Sequence, residues 1–170
     1  MLRRTWWIAP AVVLTFATAP RSWEERTQAG AQSLTGTWRL LRRTQHLADG
    51  TTREHPVSVG YLIYTAAHQM CYVAMDPTRP AWASAAAPTA DEALRTVTGF
   101  QAYCSRVEVH SAEGFVVHHI EVEKSPNLVG HDRKRWFTFD TPDQLRLRID
   151  RAELRPPVVD DELVWSRMRE

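Results

Sequence analysis

Residues 57–76 read VSVGYLIYTAAHQMCYVAMD. In VSVGYLIYT (57–65) and QMCYVAMD (69–76) the apolar residues recur with a period of two, the period of a half-buried strand. Only Ala66, Ala67 and His68 separate the two runs, so the connection is tight and the strands pair as an antiparallel hairpin. From Leu34 onward the same rhythm continues on both sides of this hairpin, in short runs broken by turn chemistry.

Upstream, GTWRLLRRTQHL (36–47) reads as a strand ended by Asp49-Gly50, a turn dipeptide whose Gly tolerates positive φ. Downstream, DPTRPAWASAAAPTA (76–90) breaks the rhythm with prolines and alanines and leads into a helix. Thr89 caps that helix, and Asp91 and Glu92 lie near the positive end of its dipole. Ala93, Leu94, Val97, Phe100, Gln101 and Cys104 fall near helical spacing, which predicts about 14 helical residues. Strands resume at SRVEVHS (105–111), FVVHHIEVEK (115–124), RKRWFTFD (133–140), LRLRID (145–150) and ELVWSRM (162–168). The expected fold class is all-β: an up-and-down antiparallel barrel of 8–9 strands, with one helix inserted between the fourth and fifth strands. About eight antiparallel strands close with room for side chains or one small ligand.

A chain of 170 residues suits one domain with a real core. Its N-terminus differs from the rest: MLRR is followed by the apolar TWWIAPAVVLTFATA (5–19) and by small-residue sites at Ala17-Thr18-Ala19 and Ala29-Gly30-Ala31. This is the pattern of a secretory signal. The alternative, a membrane anchor, is opposed by an apolar run short of the ~20 residues that span hydrocarbon and interrupted by Pro10. Residues 1–31 are therefore expected to be signal peptide and polar linker, residues 32–170 the barrel domain, and the protein exported to periplasm or medium. Four of the 21 basic and two of the 20 acidic residues lie in 1–31, leaving 17 against 18. A near-neutral domain has no electrostatic footprint for nucleic acid, and membrane contact is expected only through the N-terminal segment. Cys71 and Cys104 allow a disulfide closing a loop of about 34 residues, worth roughly 3–4 kcal/mol. Two buried thiols packing as small apolar side chains are the other reading.

The segments LTGTWRLLR, GYLIY, FQAYCSRVEV, HHIE, PNLVG, RWF and LVWSR, in this order from Leu34 to Met168, resemble the bacterial and fungal lipocalin-like domain proteins. The resemblance implies a lipocalin-like barrel with a cavity. It also implies that Trp38 at the barrel's closed end is covered by Arg167 from the last strand, a favourable stacking of guanidinium on indole. The chain departs from the family pattern at Ala66-Ala67, where a Gly-containing turn is expected, and at Cys104-Ser105.

The run FVVHHIEVEK decides how a site is read. Adjacent strand residues face opposite ways, so His118 and His119 do not share a site. A turn centred near Leu128 places Glu121 opposite Arg135, Glu123 opposite Arg133 and His119 opposite Phe137. Opposite charges so paired stabilise a hairpin by roughly 0.2–1 kcal/mol each. No metal site is expected, because a carboxylate beside an arginine is a poor cation ligand and His119 and Glu121 lack a convergent third ligand, His131 being the nearest. If the odd-numbered face points inward, His119, Glu121, Arg135 and Phe137 form a polar patch on a cavity wall, joined by Tyr61, Tyr64 or Tyr103. Such a mixture suits a small lipophilic ligand bearing a carboxylate or hydroxyl.

Two functions use this patch. The first is binding of a small apolar or amphipathic molecule without transformation. The second is an isomerase, cyclase or hydrolase with His119 as general acid/base, Glu121 orienting it and Arg135 holding an anionic group. Ser58, Ser84, Ser105 and Ser166 lack a nucleophile-elbow context. None of the seven glycines forms a dinucleotide or phosphate-loop motif, so no cofactor is expected.

Overall fold

The computed structural model describes residues 34–169; the expected signal peptide and linker lie outside these residues. Nine strands occur among them: β1 (Gly36–Leu47), β2 (Thr52–Glu54), β3 (Val59–Tyr64), β4 (Gln69–Met75), β5 (Phe100–His110), β6 (Phe115–Glu123), β7 (Asp132–Thr141), β8 (Gln144–Ile149) and β9 (Val158–Arg167). One helix, α1 (Ala90–Thr98), lies between β4 and β5. All pairings are antiparallel and run β1-β3-β4-β5-β6-β7-β8-β9, with β9 returning to β1. Eight strands therefore close into a barrel without free edges, while β2 pairs only with the second half of β1.

The strands connect at alternate ends. One end is closed by Trp38, whose indole is fully buried and donates from Nε1 to Leu34 O at 2.8 Å. The Arg167 guanidinium lies 4.0 Å from the ring centre and donates to Thr35 O at 2.7 Å. Gly36 has φ of 131°, and a Cβ there would lie 2.9 Å from the Arg167 guanidinium. A side chain at position 36 would thus be strained and would crowd the arginine on its indole. The expected covering of Trp38 by Arg167 is present.

The hairpin of residues 57–76 forms as read, with Tyr64 opposite Met70. Its connection manages without glycine because His68 takes the left-handed conformation, φ 58°. The helix is shorter than its spacing predicts. It has nine residues and a capping box in which Thr89 and Glu92 satisfy each other's backbone donors, and it ends at Gly99. Phe100, Gln101 and Cys104 belong to β5, where pairing with β4 outcompetes helix continuation.

That pairing sets Cys104 opposite Cys71, with the Cα atoms 4.1 Å apart and the sulfurs bonded. The bridge lies on the outer wall, not in the core, which settles the two readings of the cysteines in favour of the disulfide. Replacing both by alanine removes little packing and mainly releases the unfolded chain. The double variant should lose roughly 3–4 kcal/mol in urea denaturation under non-reducing conditions; an unchanged midpoint would contradict this.

Candidate functional site

Which residues face the interior is set by the β6–β7 register. Val116 pairs with Arg135, His118 with Arg133 and His119 with Asp132, and the pairing continues to Ile120 and His131 through the backbone. The hairpin is thus centred between Ser125 and Pro126, where Pro126–Leu128 forms a 3-10 turn, and not on Leu128. The difference from the expected register is an odd number of residues, so the faces exchange.

His118 is therefore inside and His119 outside. The expected pairs Glu121–Arg135 and His119–Phe137 do not form. His119 Nδ1 donates to Asp132 Oδ1 at 2.7 Å on the outer wall, and Glu121 pairs with Arg106 at 3.1 Å. Tyr61 is on the outer face of β3, 40% exposed. Of the seven expected ligand contacts, His119, Glu121 and Tyr61 are thus not on the interior wall, while Arg135, Tyr64, Tyr103 and Phe137 are brought to it. Glu123 returns to the interior because β6 carries one extra residue, Glu121, between the partners of Ser105 and Cys104. Its carboxylate reaches Arg133 at 3.1 Å, so this expected ion pair exists, though not through the expected register.

At the barrel's middle His118 has no exposed surface. Its Nε2 is 2.9 Å from the Tyr64 hydroxyl, and its Nδ1 is 3.0 Å from the Tyr103 hydroxyl. Burial, reinforced by the positive charges of Arg135 and Arg133, holds the imidazole well below its ordinary pKa. Burial raises both phenols, Tyr64 strongly. The three rings are consequently neutral near pH 7 and share protons by hydrogen bonding alone.

Above this layer, toward the end bearing the β6–β7 and β8–β9 connections, the barrel holds a cavity of about 610 Å³. Leu62, Leu147, Ile149, Leu163 and Trp165 form its apolar wall, and Tyr103 and Arg135 are at its inner part. Arg135 is almost wholly buried. Its Nη1 donates to Glu153 Oε1 at 2.7 Å and to Lys134 O at 2.6 Å. Across the cavity a second buried arginine, Arg43, makes a two-bond pair with Asp161 at 2.9 and 2.8 Å and donates to Gln101 at 3.0 Å. Gln45 also donates to Asp161, at 2.7 Å. Burial works against the Asp161 carboxylate, but these bonds hold its pKa below the usual value. Among the described residues no group of three or more His, Cys, Asp or Glu is placed to hold a metal ion.

The model of the lipocalin-like domain matches residues 35–168. The chain belongs to the lipocalin-like domain family. Among solved structures it is similar to a redesigned β-barrel, at 15% identity over 82% of this chain and 96% of that chain, TM-score 0.42. It is also similar to EF1p2_mFAP2b bound to DFHBI, at 17% identity over 84% and 99%, TM-score 0.41, and to a de novo designed fluorescence-activating β-barrel, at 13% over 82% and 97%, TM-score 0.41. No curated protein matches the sequence.

In this lipocalin-like barrel, several interior polar residues carry no clear sequence signal. Arg43 and Gln45 turn inward because Leu41 is an extra residue opposite β9, between the partners of Trp165 and Val164; beyond it the odd positions of β1 replace the even ones inside. The adjacent apolar pair Leu40-Leu41, where alternation slips, was the available hint. Asp161 is 118 positions from Arg43 and Glu153 18 from Arg135, distances over which pattern alone pairs nothing.

Removing one member of the buried Arg43–Asp161 pair strands the other charge. Asp161→Ala should cost about 3–5 kcal/mol, and the double change Arg43→Met, Asp161→Leu should recover most of it; urea denaturation measures both. A second expectation concerns acid. His55 is held to about pKa 4 by burial and by the nearby Arg43 charge, and burial also holds His118 well below its ordinary value. The unfolded chain binds protons on these histidines below about pH 6.5 while the fold refuses them. Stability should therefore fall as pH drops from about 6.5 toward 4, and His55→Gln should make that fall shallower in urea titrations at stepped pH.

Proposed function

We propose that this protein binds a small amphipathic molecule in the barrel cavity and does not transform it. The observation that carries the reading is the cavity itself: about 610 Å³, within the range of small-molecule sites, with an apolar wall and a few fixed polar groups. A barrel with a filled interior would have no such space above the Tyr64–His118–Tyr103 layer. The acid/base reading built on His119 and Glu121 loses its support, since both are on the outer wall and neither reaches a ligand inside.

Export is proposed with it. The basic start and apolar run of residues 5–19 support a signal, and a disulfide on the outer wall suits an oxidising compartment. Secreted protein with a mass beginning between residues 18 and 32 would be the expected product of cleavage; full-length protein retained with the cells would contradict it.

The binding reading is tested by native mass spectrometry of gently purified protein against the same sample denatured, followed by titration with N-phenyl-1-naphthylamine, a neutral dye that fluoresces in apolar sites. An organic mass released on denaturation, or saturable dye binding abolished by Leu163→Arg in the cavity wall, is expected. No released mass together with dye binding that ignores that variant would overturn the pocket.

A further inference from the structure

The cavity contains two buried arginines that differ in one respect. Arg43 uses all three guanidinium nitrogens on protein acceptors, Nε and Nη2 on Asp161 and Nη1 on Gln101. Arg135 makes both of its bonds from Nη1. Its Nε and Nη2 have no acceptor among the described residues, although the side chain is on the cavity wall. An arginine carries five N–H donors and no acceptor, so what this one lacks is an oxygen with lone pairs.

The Tyr64–His118–Tyr103 chain makes the same demand. A neutral imidazole donates from one nitrogen and accepts at the other, so the chain has two possible directions. In one, Tyr103 donates to Nδ1 and Nε2–H donates to Tyr64, which leaves the Tyr64 hydroxyl proton without an acceptor. Tyr64 is 4% exposed, is not on the cavity wall and makes no other side-chain hydrogen bond; an unmet buried donor is costly. In the other direction, Tyr64 donates to Nε2 and Nδ1–H donates to Tyr103. The unspent proton is then on Tyr103, which does line the cavity. Burial thus selects the direction that presents an O–H donor to the cavity.

Tyr103 and Arg135 line the same cavity, where the guanidinium charge works against the rise that burial imposes on the phenol, and the Arg133 guanidinium lies 4.8 Å over the Tyr103 ring. Trp165 Nε1 and Glu123 Oε2 are each buried without a hydrogen-bond partner among the described residues, Glu123 being ion-paired with Arg133 at 3.1 Å, and Glu153 Oε1 accepts from Arg135. What Tyr103 and Arg135 leave for the cavity is the phenolic hydroxyl together with Nε and Nη2 of the guanidinium, all donors.

We infer that Tyr103 and Arg135 form an oxyanion-receiving subsite, and that the ligand is an apolar molecule with a carboxylate head seated there and its apolar body against Leu147, Leu163 and Trp165. This rests on the pocket reading above and adds the head-group chemistry. Tyr64 and His118 act as positioning residues that point the Tyr103 proton at the head group. A charge-assisted pair of bonds to a carboxylate is stronger than the neutral bonds an alcohol makes.

The test is displacement of N-phenyl-1-naphthylamine from the full protein by decanoate and by 1-decanol, which share a chain and differ at the head. Decanoate should displace the dye at about ten-fold lower concentration or better. Arg135→Met should abolish the preference, read as the ratio of the two displacing concentrations. Tyr103→Phe, which keeps the ring beneath Arg133, should reduce it and serves if the arginine variant fails to fold. Equal displacement by the two competitors, or a preference that survives Tyr103→Phe unchanged, overturns the subsite and leaves the pocket standing. No dye binding together with no organic mass released on denaturation overturns the pocket and the subsite with it.

Discussion

Alternation on a closed sheet gives each strand one set of side chains inside and one outside, and two single-residue bulges decide which set that is here. Leu41 in β1 and Glu121 in β6 each break the pairing by one residue. Beyond Leu41 the inward positions become Arg43 and Gln45; beyond Glu121 they come to include Glu123. Without these slips β1 would turn Arg42, Thr44 and His46 inward in place of Arg43 and Gln45, and β6 would turn Val122 and Lys124 inward in place of Glu123. With them, the half of the barrel away from the Trp38 plug receives polar residues that find partners there, Arg43 and Gln45 on Asp161 and Glu123 on Arg133.

A polar interior is stable only where its groups are matched. Arg43, Asp161, Gln45 and Gln101 are joined by hydrogen bonds, with Tyr72 adding a bond to Gln101 at 3.2 Å and Arg53 one to Gln45 at 2.9 Å. These bonds use all three guanidinium nitrogens of Arg43, and the network's contribution is to the wall. The Arg135 side differs: Glu153 engages one nitrogen, and the tyrosine–histidine chain ends on a hydroxyl at the cavity. The barrel thus has a structural polar network and, opposite it, a receptive one. Both are framed by an apolar plug at one end and, on the outer wall, by the disulfide between β4 and β5.

The barrel was legible in the sequence because period-two alternation, turn dipeptides and strand lengths are local properties. Hairpin 57–76 was readable from a single segment, whereas the Trp38–Arg167 cover followed only from the family resemblance. The helix was overextended because Phe100, Gln101 and Cys104 fit both a helical spacing and a strand, and only pairing with β4 decides between them. The site was half legible. Arg135, Tyr64, Tyr103 and Phe137 are interior residues, but His119 and Glu121 are not, because the β6–β7 connection is centred between Ser125 and Pro126 and not near Leu128. A slip of that kind leaves every strand in place and exchanges every face. His118, which the sequence places only on the face opposite His119, is the residue that links Tyr64 and Tyr103 in the interior.

The donor that Tyr103 offers to the cavity requires His118 to be neutral, buried and protonated at Nδ1. Long-range proton–nitrogen correlation NMR on protein labelled at histidine nitrogen reports charge and tautomer together. The structure predicts a neutral ring carrying its proton on Nδ1 and unchanged across about pH 5 to 8, where an ordinary histidine titrates. A ring that titrates near pH 6.5 would place His118 outside the barrel, and a neutral ring protonated at Nε2 would reverse the chain and remove the donor that Tyr103 offers to the cavity.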